Sequence, residues 1–491
     1  MNKTDIEAVY GLSPIQQGIL FHCLQEPESG LYVLQFVFRL SGELHLENFR
    51  RAWQTVCDRH SIIRTAFTWK RLTKMHQVVL RKVVLPVEVV DWRAYSAAEC
   101  ETKLQEYLVT DQHKEFDFTA APLMRLVLFE QADDSYQFVC SFHHLILDGW
   151  SYALLLREVT GYYQSFMTGT EFKPPKLVPY RDYIEWLKTQ NVEDAKSFWT
   201  ETLRGISEPT PFPLEPTSAL PEKRQHSIHL SREKTAALQK FAQTHHLTLN
   251  TIIQGAWALL LSLYTGANDV VFGATVSGRS PEISGVESMI GLFISSLPVR
   301  MRIDNSDRVV QWLKKQQDIQ AQSREYDYAP LVDIHSWSEI PRSSPLFETL
   351  VGFQNYPAEM SGTDSPATAN RNSEQLQTQL LNSTFKNSYP LTLTVHAQNE
   401  LTLQLDYDTS RCDRESIEKM LARLHTIVDR IAANPDGRLG DVRQLDHRER
   451  HQVVVEFNQT AVDYDLDRSV HELVTEQALR TPDRIAVVYE S

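Results

Sequence analysis

The residues best equipped for chemistry are the adjacent imidazoles His143 and His144 in Ser141-Phe142-His143-His144-Leu145-Ile146-Leu147-Asp148-Gly149-Trp150-Ser151. At physiological pH a near-neutral imidazole can take a proton from an attacking nucleophile or orient it through a hydrogen bond. Asp148 is too polar to be buried alone and requires a cation or several donors. Gly149 indicates a backbone that turns tightly or lets a substrate approach. Arg64, in Arg59-His60-Ser61-Ile62-Ile63-Arg64-Thr65, is the candidate cation, a support for the loop that takes no part in chemistry. Zinc is not indicated, because neighbouring residues on a strand point to opposite faces and zinc needs three or four convergent ligands. The plainer alternative is a histidine pair at a strand end, one ring in the core and one in water. His245-His246 lacks a following Asp-Gly, precedes an apolar helix and reads as structural.

The elements around this segment must hold it at a strand-to-helix junction. Tyr136 to Phe142 alternates as a strand with Tyr136, Phe138, Cys140 and Phe142 on one face, so the period-two rule turns His144 inward with them and His143 away. Leu123 to Glu130 is a partner strand across the turn Asp133-Asp134-Ser135, and a helix follows from about Tyr152. Leu31 to Leu40 reads as a strand, followed by Leu46, Phe49, Trp53 and Val56 at helical spacing. Further on, Leu247 to Leu263 reads as a buried helix, Val270 to Val276, Leu391 to Val395 and Leu401 to Leu405 as strands, and Glu415 to Ala432 as an amphipathic helix. The five prolines between Gly205 and Lys223 mark a connector, and the polar stretch Pro357 to Lys386 reads as a surface loop or crossover. Mixed α and β structure results, and 491 residues exceed what one core usually supports.

A formal charge of −14, from 63 acidic and 49 basic residues, argues against nucleic-acid binding. The nearest basic run, Lys70, Arg71, Lys74, Arg81 and Lys82, is diluted by apolar residues and reads as strand edges facing water. Five scattered cysteines without CxxC spacing fit a reducing cytosol. The N-terminus has no signal-peptide pattern, and Asn250, Gln254 and Ser262 interrupt the most apolar segment, so a cytoplasmic protein without membrane contact is expected.

His143 to Gly149 resembles the His-His-x-x-x-Asp-Gly motif of condensation domains of non-ribosomal peptide synthetases, and further family-like segments follow in order. Tyr10 to His22 is similar to the opening motif, Arg59 to Thr65 to the second, Tyr180 to Trp186 to the segment after the active site, Ile290 to Arg300 to the fifth and Tyr328 to Leu331 to the sixth. The likeness covers residues 5 to about 435. It implies an α/β fold of mixed sheets in two chloramphenicol-acetyltransferase-like lobes, a V-shaped pseudo-dimer: 1–178 the N-terminal lobe, 179–435 the C-terminal lobe, 436–466 an interdomain linker. Phe457 to Thr460, Val470 to Leu473 and Thr481 to Val487 look like the beginning of an adenylation domain, truncated over 467–491.

The resemblance further implies amide formation by an acyltransferase. The acceptor's α-amine attacks a donor thioester, both carried on phosphopantetheine arms by donor and acceptor peptidyl carrier proteins, with no cofactor held by the domain and a monomeric fragment. His144, His143, Asp148 and Gly149 would form the catalytic group, with Ser295, Ser296, Trp150 and Ser151 lining a tunnel. Ser295-Ser296 departs from the family's usual Asn-Thr. Leu12-Ser13-Pro14, Gly18 to His22 and Leu147 more resemble the subtype joining a D-configured donor to an L-configured acceptor. Two intact histidines exclude the heterocyclising members, and no Glu-Gly-His-Gly-Arg type segment of epimerising members is found. The alternative function is a catalytically silent module that only docks carrier proteins.

Overall fold

The computed structural model describes residues 3–27, 29–69, 75–354, 376–397, 400–444, 447–461, 468–487 and 489. Residues 3–442 form one compact unit and those from Arg443 onward another. The strands of the first unit are β1 (Ile6–Gly11), β2 (Val33–Ser41), β3 (Thr65–Thr68), β4 (His76–Leu80), β5 (Val87–Asp91), β6 (Met124–Ala132), β7 (Ser135–His143), β8 (Lys223–His229), β9 (Asp269–Val276), β10 (Ser295–Arg302), β11 (Thr349–Gln354), β12 (Gln377–Phe385), β13 (Leu391–Ala397) and β14 (Leu401–Asp408). They make a three-stranded sheet β1-β4-β3, a five-stranded sheet β12-β2-β7-β6-β5 and a six-stranded sheet β10-β9-β11-β13-β14-β8. The α/β class with mixed sheets agrees with expectation, since β5 and β6 pair parallel while β6, β7 and β2 pair antiparallel.

Alternation along β7 explains how the five-stranded sheet is covered on both faces. Phe138, Cys140 and Phe142 join Phe36 and Phe38 of β2 in a core shared with Phe49, Trp53 and Val56 of the helix Leu46–Arg59. Val139, Val127 and Phe129 face the other way, against Cys100, Leu104 and Leu108 of the helix Ala97–His113. In the six-stranded sheet Val270 and Phe272 pack on the helices Leu249–Thr265 and Arg414–Ala433, while Val271 and Leu297 meet Trp199 and Ile334 on the opposite face.

The polar stretch expected as a loop or crossover is in part a strand. Its segment 357–375 lies outside the described residues, but Gln377–Phe385 pairs antiparallel with β2, from Gln377 opposite Ser41 to Phe385 opposite Leu34. A segment far along the chain thereby adds an edge to the sheet that carries the histidines. The alternating pattern is missed because an exposed edge strand need bury neither face, and Gln, Asn, Ser and Thr fill these positions. Lys70, Arg71 and Lys74 of the basic run also lie outside the described residues. Among the described residues no single helix is long and apolar enough to cross a membrane, and all five cysteines are free thiols.

The helix Gly149–Thr168 follows β7 after a short turn and ends at Gly169, whose φ of 72° supplies the left-handed cap. It is tied to the segment Arg59–Thr65 through the buried Glu158, which takes His60 Nε2 at 2.8 Å and Arg59 Nε at 3.1 Å. In the second unit, the helix Val470–Arg480 begins with a Ser469–Glu472 capping box and leaves Val470, Leu473, Val474 and Leu479 exposed.

Glu158→Ala leaves buried His60 without its carboxylate and removes the ion pair of Arg59, which keeps the carbonyl of Pro175. It should lower stability by about 3–5 kcal/mol, read as a fall in the urea midpoint. An unchanged midpoint would remove this link.

Candidate active site at the end of strand β7

His143 ends β7 and His144 begins the turn to the helix, both buried at 2% and 5% exposure. Their hydrogen bonds require opposite tautomers. The N–H of Leu145 donates to His143 Nδ1 at 3.2 Å, so that nitrogen carries a lone pair and the proton sits on Nε2, 3.5 Å from Cys23 Sγ. His144 Nδ1 lies 2.7 Å from the carbonyl of Leu147, which can only accept, so Nδ1 carries the proton and Nε2 the lone pair. His143 thus spends its basic nitrogen on the backbone. His144 keeps its own for a ligand.

The surroundings reinforce this division. His143 lies edge-on to Phe116 and Phe118 at 6.1 and 4.8 Å, and burial, with smaller contributions from His144 and Arg125, pushes it down to about 3. Burial also holds His144 below the ordinary imidazole value, opposed by the Leu147 carbonyl and the charge of Asp148. Both rings are neutral at pH 7. The expectation that they face different surroundings holds, although neither is in water.

Asp148 is 1% exposed and caps the helix it precedes: Oδ1 accepts from the N–H of Ser151 at 2.7 Å, and Oδ2 from the N–H of Phe293 at 3.0 Å. Its own N–H donates to the carbonyl of Gly291 at 3.1 Å. The cation beside it is Arg279, at 3.6 Å, and not Arg64. Arg64 instead reaches Glu7 at 2.6 Å, the carbonyl of Cys57 at 3.2 Å and that of Leu80, tying the turn Ser61–Arg64 to β1 and β4. Sequence order favoured Arg64 because it stands in a dense motif. Arg279 follows Gly278 at the end of β9, and the only cue is a lone arginine in a loop ahead of the Ile290 segment.

Arg279 also donates to Ser151 Oγ at 2.8 Å and to the carbonyl of Met289 at 2.9 Å, with its guanidinium 4.1 Å over the Phe293 ring. Two glycines permit this approach. At Gly278 φ is +60° and a Cβ would sit 1.8 Å from the carbonyl oxygen of Phe293, and at Gly291 one would sit 2.2 Å from the Tyr180 ring. Tyr180 donates to the carbonyl of Leu292 at 2.6 Å. The family-like segments around Tyr180 and Ile290 are therefore the parts that clamp Asp148.

The remaining expected residues divide. Ser151 is fully buried, and its hydroxyl donates to the Gly291 carbonyl at 2.6 Å and accepts from the Gly291 N–H at 3.0 Å, so it belongs to this clamp and does not line a tunnel. Gly149 is the buried first residue of the helix and is not among the left-handed glycines, so of the two expected uses of this glycine the tight turn is not seen. Trp150 is exposed and donates to the Glu287 carbonyl at 3.1 Å. Ser295 and Ser296 are half-buried opposite Val276 and Thr275 at the start of β10.

Among the described residues the site thus brings together an imidazole whose Nε2 carries the lone pair, a strand-to-helix junction and a buried carboxylate that holds the junction's shape. A condensation-domain family model matches residues 6–454. The chain is 42% identical to a linear gramicidin synthase polypeptide of Brevibacillus parabrevis over 490 residues, 99% of this chain and 6% of that protein. It is 32% identical to tyrocidine synthase 3 of the same organism, over 99% of this chain and 7% of that one. It thus spans a small fraction of these relatives' length. Among solved structures it is similar in fold to a four domain nonribosomal peptide synthetase bound to AMP and glycine, with TM-score 0.76, 19% identity, and coverage of 98% of this chain and 37% of that one. It also resembles the first condensation domain of the calcium-dependent antibiotic synthetase in complex with a substrate analogue, with TM-score 0.72, 14% identity, and coverage of 89% and 99%. The chain belongs to the condensation-domain family, the amide-forming acyltransferases of nonribosomal peptide synthetases.

Two outcomes test the geometry. Asp148→Asn combined with Arg279→Gln should show a coupling of about 0.5–3 kcal/mol in a double-mutant cycle, whereas Asp148→Asn with Arg64→Gln should add to within about 0.5 kcal/mol. Equal coupling in both cycles would contradict the pairing. For His143, a folded value near 3 lies below the unfolded 6.5, so stability present above pH 6.5 is lost as pH falls towards 3. His143→Asn keeps an acceptor for the Leu145 N–H, so it should be more stable than His143→Ala by about 1–3 kcal/mol, and both should flatten the acid limb of stability against pH.

Proposed function

We propose that the chain joins a donor aminoacyl or peptidyl group to an acceptor amine with His144 Nε2 as the group that receives the amine's N–H. The observation that carries this reading is the opposite tautomers of the two rings, which leave one basic nitrogen unclaimed by the backbone. An α-amine has a pKa near ~8, so a useful fraction is neutral at pH 7. His144, held below its ordinary value, is a weak base toward a free ammonium and is suited to orient a neutral amine. The amine nitrogen attacks the thioester carbonyl and forms the C–N bond. The adduct's ammonium proton, now far more acidic, passes by way of Nε2 to the departing sulfur as the C–S bond breaks. Holding both thioesters at one nitrogen contributes up to roughly 7–11 kcal/mol through positioning in favourable cases.

Asp148, through its N-cap and its bonds to Phe293 and Ser151, serves as a positioning residue for the turn that carries the Leu147 carbonyl. Donor and acceptor peptidyl carrier proteins are the partners, each bringing its own phosphopantetheine arm. Residues 1–178 and 179–435 serve as the two lobes, 436–466 as a linker and 467–491 as the beginning of an adenylation domain. The exposed apolar side chains of Val470–Arg480 suit a helix that packs within such a domain. The D-donor, L-acceptor preference rests on the likeness of Leu12-Ser13-Pro14, Gly18 to His22 and Leu147 to that subtype; of these, Ser13 caps the helix Pro14–Gln25 and Leu147 supplies the carbonyl that holds His144.

Three measurements test the proposal. His144→Ala should reduce transfer from an N-acetyl-D-leucyl carrier thioester to an alanyl carrier thioester by at least about 100-fold while carrier binding persists; undiminished transfer would remove the role given to His144, and a docking module would show no transfer in the unaltered chain either. The N-acetyl-L-leucyl donor should transfer more slowly than the D form, and a preference for L would remove the subtype. Because protonation removes the acceptor lone pair, activity is lost as pH falls through the value of His144. With the amine limb beginning near ~8, a second break should therefore lie below 6.5 in the log-rate profile and vanish in a His144→Ala residual rate.

A further inference from the structure

The ring of Phe385 stands perpendicular to that of His144, with centroids 5.2 Å apart. Phe385 is the last residue of β12, the strand supplied from far along the chain, and it is 37% exposed although large and apolar. It also lines two cavities of about 300 and 420 Å³, both of which reach Gln225 and Asp406 and neither of which is lined by His144. One apolar ring thus stands against the imidazole and also lines both cavities.

Its position is fixed through Tyr32. The N–H of His144 donates to the carbonyl of Tyr32 at 2.8 Å, and the N–H of Tyr32 donates to the carbonyl of Lys386 at 2.9 Å. The strand end bearing Phe385 is therefore two backbone hydrogen bonds from the residue it covers. Tyr32 has a φ of 62°, a left-handed conformation that a bulky side chain adopts at a cost and only when its surroundings enforce it. Here the hydroxyl is held by His22 Nδ1 at 2.8 Å and Ser388 Oγ at 3.1 Å. Backbone strain at this position has an account if the relay must hold β12 against the histidine.

We propose that Phe385 is a positioning residue that caps His144 and keeps water from the donor thioester, so that the amine and not water is the nucleophile. This rests on the reading of His144 given above. The competing reaction is hydrolysis: water oxygen bonds to the carbonyl carbon, the C–S bond breaks, and the thiol leaves with the proton that water loses. Excluding water from a reactive acyl group is a general use of a closed apolar site.

The test measures both products, amide and free acid, for the full chain with a carrier-bound N-acetylaminoacyl thioester and an aminoacyl carrier thioester on which the unaltered chain forms amide. Phe385→Ala should lower the ratio of amide to acid by about tenfold or more, with amide still formed, and Phe385→Tyr should restore the ratio because it keeps the ring. Phe385→Leu, which retains bulk for folding, should give an intermediate ratio. An unchanged ratio in Phe385→Ala, or an equal fall in both products, overturns the capping role. His144→Ala measured alongside separates the two readings: loss of amide with an unchanged Phe385→Ala ratio sinks the cap alone, and full amide formation in His144→Ala sinks the histidine assignment on which it rests.

Discussion

The proposed chemistry depends on one hydrogen bond: the 2.7 Å contact from His144 Nδ1 to the carbonyl of Leu147. It determines which nitrogen holds the proton, turns the lone pair outward from the turn, and gives neighbouring histidines different properties. The carbonyl is three residues along the chain, so the bond survives only if the turn from β7 into the helix Gly149–Thr168 keeps its shape. Asp148 maintains that shape, and its carboxylate is acceptable in a buried place because Ser151, Phe293 and Arg279 surround it. What looks like a local motif is a junction between segments more than a hundred residues apart.

The same dependence explains where bulk and charge lie. Glu158 binds Arg59 and His60 two turns further along the helix Gly149–Thr168, and Asp111 gathers Gln35 at 2.8 Å, Arg125 at 2.7 Å and Ser141 beneath β7. Each of these three buried acids, Asp111, Asp148 and Glu158, takes cations and donors from separate elements. The tolerance for close packing comes from Gly278 and Gly291, without which the Phe293 segment could not approach both Tyr180 and the turn.

Much of this was legible in the chain. Alternation along β7 placed Phe138, Cys140 and Phe142 on one core face, as found, and the chemistry of Asp148 demanded buried partners, also as found. The order of family-like segments gave the fold class. Three features were not legible, each for a physical reason. The partner of Asp148 is Arg279 and not Arg64, because a cation's neighbour depends on tertiary contact and both arginines satisfy the local rules. The edge strand β12 buries no face and so has no hydrophobic period. Tyr32 is left-handed through its tertiary hydrogen bonds, and no residue-type preference announces it.

The most direct measurement is nitrogen NMR of the chain with ¹⁵N-labelled histidine at pH 7, with His143 and His144 assigned by single substitution. The account predicts neutral rings of opposite tautomer, His144 with a protonated Nδ1 and a pyridine-like Nε2, and His143 the reverse. A His144 ring protonated at Nε2 with a bare Nδ1, or charged at that pH, would contradict it.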